Sequence, residues 1–174
     1  MNAEFTFRTE VGQFTEAPVG LNMHYLLVPK TIVQRIASPL PARFVVTLMN
    51  TTWHGAVMSM GDGNGFVMIN KQLVRKLGLQ LGMKTELHLV EDHSRYGMPM
   101  CEELEALLEQ DEKANHRFHA LTPGRQRNII HYIGKIKSPQ LRIDKALMFM
   151  ENLKQLPQGK EDIGFIIGAR KEPR

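Results

Sequence analysis

The run Tyr25-Leu26-Leu27-Val28-Pro29-Lys30-Thr31-Ile32-Val33-Gln34-Arg35-Ile36 decides the fold, because it occurs twice. Its second copy is Phe66-Val67-Met68-Ile69-Asn70-Lys71-Gln72-Leu73-Val74-Arg75-Lys76-Leu77. The two align without a gap. Lys30 falls on Lys71, Val33 on Val74, Leu40 on Leu81 and Leu48 on Leu89. Each copy reads as strand, short helix, turn, strand. Two such units that cannot bury their apolar faces alone can close on each other as one small barrel.

Working outward, Phe5, Phe7 and Val11 alternate with polar residues, the period of a half-buried strand. In the first copy Tyr25 to Val28 is a strand, and Pro29 sits harmlessly where a helix begins. Thr31 to Ile36 predicts two helical turns, stopped by Ser38-Pro39-Leu40-Pro41. Arg43 to Leu48 is the next strand, rich in β-branched and aromatic residues. Trp53 to Met60 alternates again. Gly61-Asp62-Gly63-Asn64-Gly65 is hairpin-turn chemistry. It precedes a strand rather than opening a helix, so it is not a dinucleotide fingerprint. In the second copy Asn70 is an N-cap, Lys71 to Leu77 a short helix, Gly78 its C′ residue and Thr85 to Val90 the closing strand. Six or so strands with two short helices predict a small, partly open barrel.

From Tyr96-Gly97-Met98-Pro99 onward the alternation stops and helical spacing takes over. Leu104, Leu107 and Leu108 mark one helix face, with Glu102, Glu103 and Glu105 at the end the macrodipole favours. Asp111 caps a second short helix that ends near Leu121. Thr122-Pro123 and Ser138-Pro139 are start signals. Ile129, Ile130, Ile133 and Ile136 give a buried face, and Leu141 to Leu153 forms the last helix. Phe165-Ile166-Ile167 either docks on the body or belongs to a free tail. The expected organisation is α+β: a pseudo-duplicated, double-split, swapped-hairpin-like barrel over residues 1–97, a helical domain over 98–156 and a C-terminal tail over 157–174.

The chain has 174 residues, 43% hydrophobic and 23% charged, an ordinary globular balance that argues against disorder. Its formal net charge of +4 permits nucleic-acid contact without demanding it. The charge is evenly shared: 9 Lys+Arg against 7 Asp+Glu before residue 100, and 13 against 11 after it. Cys101 is the one cysteine, so a disulfide framework within the chain is excluded and a reducing compartment is expected. The first ten residues show no signal-peptide pattern, and no apolar run approaches the roughly 20 residues a membrane helix needs. A cytoplasmic location is expected.

The most suggestive chemistry is a basic run in which Arg125, Arg127, Lys135, Lys137, Arg142 and Lys145 face only Asp144. Two helix N-termini among them would help an anion surface. An acidic run, Glu102, Glu103, Glu105, Glu109, Asp111 and Glu112, lies just upstream. Pairing between the two runs, or simple solvation, is the commoner outcome. Lys30 and Lys71 hold equivalent places at two short helices and could grip phosphates from a two-fold surface, although lysines are usually just exposed. The candidate anion or ligand set is therefore Lys30, Lys71, Arg125, Arg127, Lys137 and Arg142. His116 and His119 share a helix side but lack further ligands, so no metal site is assigned. Cys101, Trp53 and His54 do not make a nucleophile constellation by spacing. No catalytic residue and no cofactor are assigned, and the 11 methionines read as core filling.

The stretch Phe66 to Gly78 with Leu81-Gly82 resembles the strand–helix–turn unit of a bacterial barrel domain of unknown function. The second half resembles the helical domain of the bacteriocin-protection, or OmpD-associated, family, through Leu104-Glu105-Ala106-Leu107-Leu108 to Leu121-Thr122-Pro123, then Arg125-Gln126-Arg127 through Tyr132-Ile133 to Lys137. Together the resemblance covers about residues 3–155. It implies a stress- or envelope-protection role and no known reaction. The family's helical domain usually carries Ala-Lys and then Glu-Thr-Arg at the last helix boundary. Here Lys137 and Arg142 remain, while Gln140 and Leu141 replace the Glu-Thr pair. The strand–helix–turn–strand unit is also similar to the swapped-hairpin barrels of bacterial transition-state regulators, which bind DNA as dimers. That is a fold-level analogy.

Three readings follow. The first is a non-catalytic binding protein, monomeric or weakly self-associating, with a protein or small-molecule partner. The second is a nucleic-acid binder using the basic set, and the third an enzyme with a cleft between its modules. The first fits best.

Overall fold

The structure is a computed structural model that describes residues 3–15 and 23–173. The chain divides into two compact units, Met1–His93 and Ser94–Arg174.

The first unit holds strands β1 (Glu4–Phe14), β2 (Met23–Val28), β3 (Ala42–Leu48), β4 (Thr51–Ser59), β5 (Gly65–Ile69) and β6 (Lys84–Glu91), with helices α1 (Lys30–Val33) and α2 (Lys71–Lys76). The strands form a closed barrel in the order β1-β2-β5-β4-β3-β6, every pair antiparallel. The partly open barrel expected from the sequence is thus corrected to a closed one. The cause is the length of β1. Its residues Glu4 to Glu10 pair with β6, and Val11 to Phe14 pair with β2, so one strand spans the gap and no edge is left.

The strand order is unchanged when β1 and β4, β2 and β5, and β3 and β6 are exchanged. Leu26 stands opposite Val67 and Thr47 opposite His88. Each pair is 41 residues apart, as Lys30 is from Lys71, so the two strand–helix–strand segments meet at equivalent residues. Inward positions alternate as the pleat requires, and Leu26, Val46, Leu48, Val57, Val67, Leu87 and Leu89 are fully buried. Each contributes about 1.5–3 kcal/mol by leaving water.

The first short helix is one turn, Lys30–Val33, rather than the two turns expected. Pro29 offers no side-chain cap, and Thr31, Ile32 and Val33 are all β-branched. In α2 the Asn70 side chain accepts from the Leu73 N–H at 2.7 Å, and six residues are helical. The hairpin turn forms as expected. Gly61 and Gly63 take φ of 93° and 94°, and Asp62 accepts from the Asn64 N–H.

The second unit holds α3 (Glu102–Gln110), α4 (Glu112–His119), α5 (Pro123–Gly134), α6 (Pro139–Gln155) and α7 (Ile163–Ile166). Asp111 accepts from the Ala114 N–H at 2.8 Å and so ends α3 and starts α4. Ser138 caps α6. Leu104, Phe118, Ile129, Ile130, Ile133, Met150 and Leu153 fill the core with Ile166. The segment after Leu156 docks. Asn152 Nδ2 donates to the Phe165 and Ile166 carbonyls at 3.1 Å each, and Ile166 is buried.

Candidate functional site

The six sequence-selected cations are divided between the two units, Lys30 and Lys71 in the first and Arg125, Arg127, Lys137 and Arg142 in the second. Lys30 and Lys71 follow β2 and β5, which pair antiparallel, so they leave opposite ends of one ladder. Val28 pairs with Gly65 and His24 with Ile69, so the ends lie about 14 Å apart at about 3.4 Å per residue. On α5, Arg125 and Arg127 are two positions apart, about 200° around the helix, and point to different sides.

Two of the six are committed to carboxylates. Arg125 Nη1 donates to Glu161 Oε2 at 3.1 Å, and Glu161 is buried with Arg117 also beside it. Arg142 Nη2 donates to Glu103 Oε1 at 2.6 Å, and its Nη1 to the Ile136 carbonyl at 2.9 Å. Lys154 on α6 likewise reaches Asp111 at 2.8 Å and also Glu151. The acidic and basic runs therefore pair in part, leaving Arg127 and Lys137 as the members of the set on this unit without an ion pair among the described residues.

Histidine pairs occur in both units. In the barrel unit His54 Nδ1 lies 2.7 Å from Asp92 Oδ2. In the helical unit His119 Nδ1 donates to the Asn115 carbonyl, which leaves Nε2 to accept from Tyr96 Oη at 2.9 Å and Arg95 Nη2 at 3.0 Å. With both ring nitrogens engaged, His119 is held as a structural link. No group of three His, Cys, Asp or Glu among the described residues could hold a metal ion.

A groove of about 480 Å³ runs between α3 and α6. Ala106 and Leu107 on α3 and Ile143 and Leu147 on α6 give it an apolar floor, and Glu102, Glu103, Gln110 and Asp111 line its margin. The cause lies in α6. Its core face is Ala146, Phe149, Met150 and Leu153, spaced i, i+3, i+4, i+7. Ile143 and Leu147 border that stripe and stay 40% and 49% exposed.

Charge is fixed on the margin. The Arg142 hydrogen bond holds the Glu103 carboxyl below its ordinary range, and the Lys154 hydrogen bond, with the Ala114 N–H, does the same for Asp111. The carboxylates in turn hold the Arg142 and Lys154 cations more firmly protonated. Among the described residues the lining contains no histidine, cysteine or hydroxyl side chain. What remains is a surface suited to taking up apolar groups.

Sequence reasoning missed this groove. The signal was present in α6, which carries more apolar residues than one buried face can use: Leu141, Ile143 and Leu147 lie outside the 146/149/150/153 stripe.

A closed barrel followed by a helical unit with an open groove defines a two-module protein, and family comparisons assign both modules. Residues 7–89 match the domain of unknown function DUF1905. Residues 98–155 match the family described as bacteriocin-protection, YdeI or OmpD-associated. The helical module is thus similar to the bacteriocin-protection, YdeI or OmpD-associated family, and the barrel ahead of it to DUF1905. A comparison with curated proteins gave no match.

Proposed function

We propose that the protein is a non-catalytic binding protein whose helical unit takes an apolar segment of a partner into the α3–α6 groove. The observation that carries this reading is the pair Ile143 and Leu147, about half exposed, side by side at i, i+4. Fully burying one such side chain is worth about 1.5–3 kcal/mol, so covering the exposed halves of several contributes a few kcal/mol before the cost of association. The family's printed name speaks of bacteriocin protection and of association with another protein, and a binding role is of that kind.

The test uses a neutral apolar fluorophore, N-phenyl-1-naphthylamine. Its emission should rise with the wild-type protein and fall back with Leu147→Lys and Ile143→Glu, both checked for native helicity by circular dichroism. Equal emission with wild type and both folded variants would remove the reading.

The nucleic-acid reading has less support, because Arg125 and Arg142 are bonded to Glu161 and Glu103. We place the function in the cytoplasm, on the single cysteine and on a chain in which no described helix is long and apolar enough to cross a membrane. Recovery of the native protein in an envelope fraction would overturn that placement.

A further inference from the structure

The groove's lining also constrains the chemistry of its occupant, a step that rests on the groove being a binding site. Three carboxylates line the groove, Glu102, Glu103 and Asp111, and among the described residues no basic side chain does. Arg142 and Lys154 are the cations bonded to this margin, and each is already used: Arg142 by Glu103, Lys154 by Asp111 and by Glu151. Glu102 makes no ion pair among the described residues. The margin therefore carries three carboxylates, two of them each bonded to a cation and Glu102 not, a negative rim over an apolar floor.

The spacing selects a shape. Glu102 and Asp111 mark the two ends of α3, nine residues apart, or about 13 Å along the axis. Ile143 and Leu147 stand one helical turn apart on α6. A third helix laid between two helices presents apolar side chains at that same pitch, whereas an extended strand alternates every second residue and would turn half of them to water. Cations about nine residues apart on such a helix reach both ends of the rim.

We propose that the groove's occupant is an amphipathic helix of a partner protein, with Lys or Arg flanking both ends of its apolar stripe. Opposite charge aligns the helix and speeds encounter, and the apolar stripe supplies the affinity.

The test titrates two synthetic helical peptides of about five turns against the full chain. Both carry the same i, i+3, i+4, i+7 leucine stripe. One is flanked by lysines and the other by glutamates. The lysine peptide should bind about tenfold or more tightly than the glutamate peptide at about 50 mM salt, and the ratio should shrink at about 300 mM salt. Glu102→Gln should narrow the ratio, and Leu147→Lys should abolish binding of both.

Equal affinities, or a tighter glutamate peptide, would overturn the charge assignment and leave the groove reading standing. The helical occupant also falls, with the groove intact, if neither peptide binds while the neutral fluorophore still does. Failure of fluorophore and peptides together would instead sink the groove reading. A concentration-dependent dimer by sedimentation equilibrium that Leu147→Lys dissolves would make the occupant a second copy, and the proposal would fall.

Discussion

Arg142 on α6 and Glu103 on α3 are joined by a 2.6 Å hydrogen bond, and the same guanidinium reaches the Ile136 and Lys137 carbonyls at 2.9 and 3.4 Å. One side chain thereby ties the start of α6 to the α5–α6 connection and to the first turn of α3, at the margin of the groove. Arg142→Ala should lower the thermal midpoint and reduce fluorophore binding. Arg142→Lys should restore only part of either, because an ammonium cannot serve a carboxylate and two carbonyls as a planar fork does. Full rescue by lysine would mean that charge alone matters there.

Acid should loosen the helical unit. Glu103, Asp111 and Glu161 all titrate below their ordinary values in the folded chain. For Glu161 burial itself works the other way, and the Gly159 N–H, its own backbone N–H, Arg117 and Arg125 outweigh it. A depressed folded pKa means the stabilisation is fully present above the unfolded value, 4.5 for glutamate and 3.8 for aspartate. It is then lost as pH falls through the folded value. The carboxylate contribution to urea stability should be flat from neutrality down to about pH 5 and fall below it. Glu161→Gln should flatten part of that fall, and at neutral pH cost about 1–3 kcal/mol for the charged hydrogen bonds lost. Acid sensitivity unchanged in this variant would contradict the assignment.

Leu26 lies at the point where the two equivalent segments of the barrel meet, fully buried opposite Val67. Leu26→Ala should cost about 2–5 kcal/mol, the range for a cavity in a rigid core. Denaturant unfolding followed by Trp53 emission reports it directly. A cost under about 1 kcal/mol would show that the barrel collapses onto the void.

Gly12 faces Tyr25 across the β1–β2 ladder, and a Cβ at position 12 would come within 2.1 Å of the Tyr25 ring. That ring also packs on Phe14 at 4.5 Å and lies near Phe66 at 6.0 Å. Gly12→Ala should displace the ring and change the near-ultraviolet dichroism. In a Tyr25→Ala background the same change should be nearly neutral, a coupling of about 1 kcal/mol in a double-mutant cycle. Additive effects would mean the ring moves aside without cost.

Arg125→Ala should act on stability, because its guanidinium is bonded to buried Glu161. Fluorescence anisotropy with random duplex and single-stranded oligonucleotides should show no salt-sensitive binding that Arg125→Ala, Arg127→Ala and Lys137→Ala together remove. Such binding, if found, would restore the nucleic-acid reading.

Much of the architecture was legible because it is local. The repeat from Tyr25 and Phe66, the Asn70 and Asp111 caps, the Gly61–Gly65 turn and the proline start signals at Pro123 and Pro139 each act over a few residues. The length of α1 was less so, because the β-branched run after Pro29 carries an apolar spacing that suits a helix but has no side chain to cap it. The candidate site was hardly legible. Charge and spacing along the chain pick out the six cations, and two of them, Arg125 and Arg142, turn out to be bonded to Glu161 and Glu103.

The sequence by itself determined a small β-barrel followed by a helical unit, since period, caps and turns are properties of neighbouring residues. Only the tertiary structure decided that β1 closes the barrel by pairing on both sides, that Arg125 and Arg142 are spent on Glu161 and Glu103, and that Ile143 and Leu147 remain uncovered. Those outcomes depend on which distant side chain arrives next to which, and a hydrophobic pattern specifies only that a residue seeks cover, not whether any is left for it.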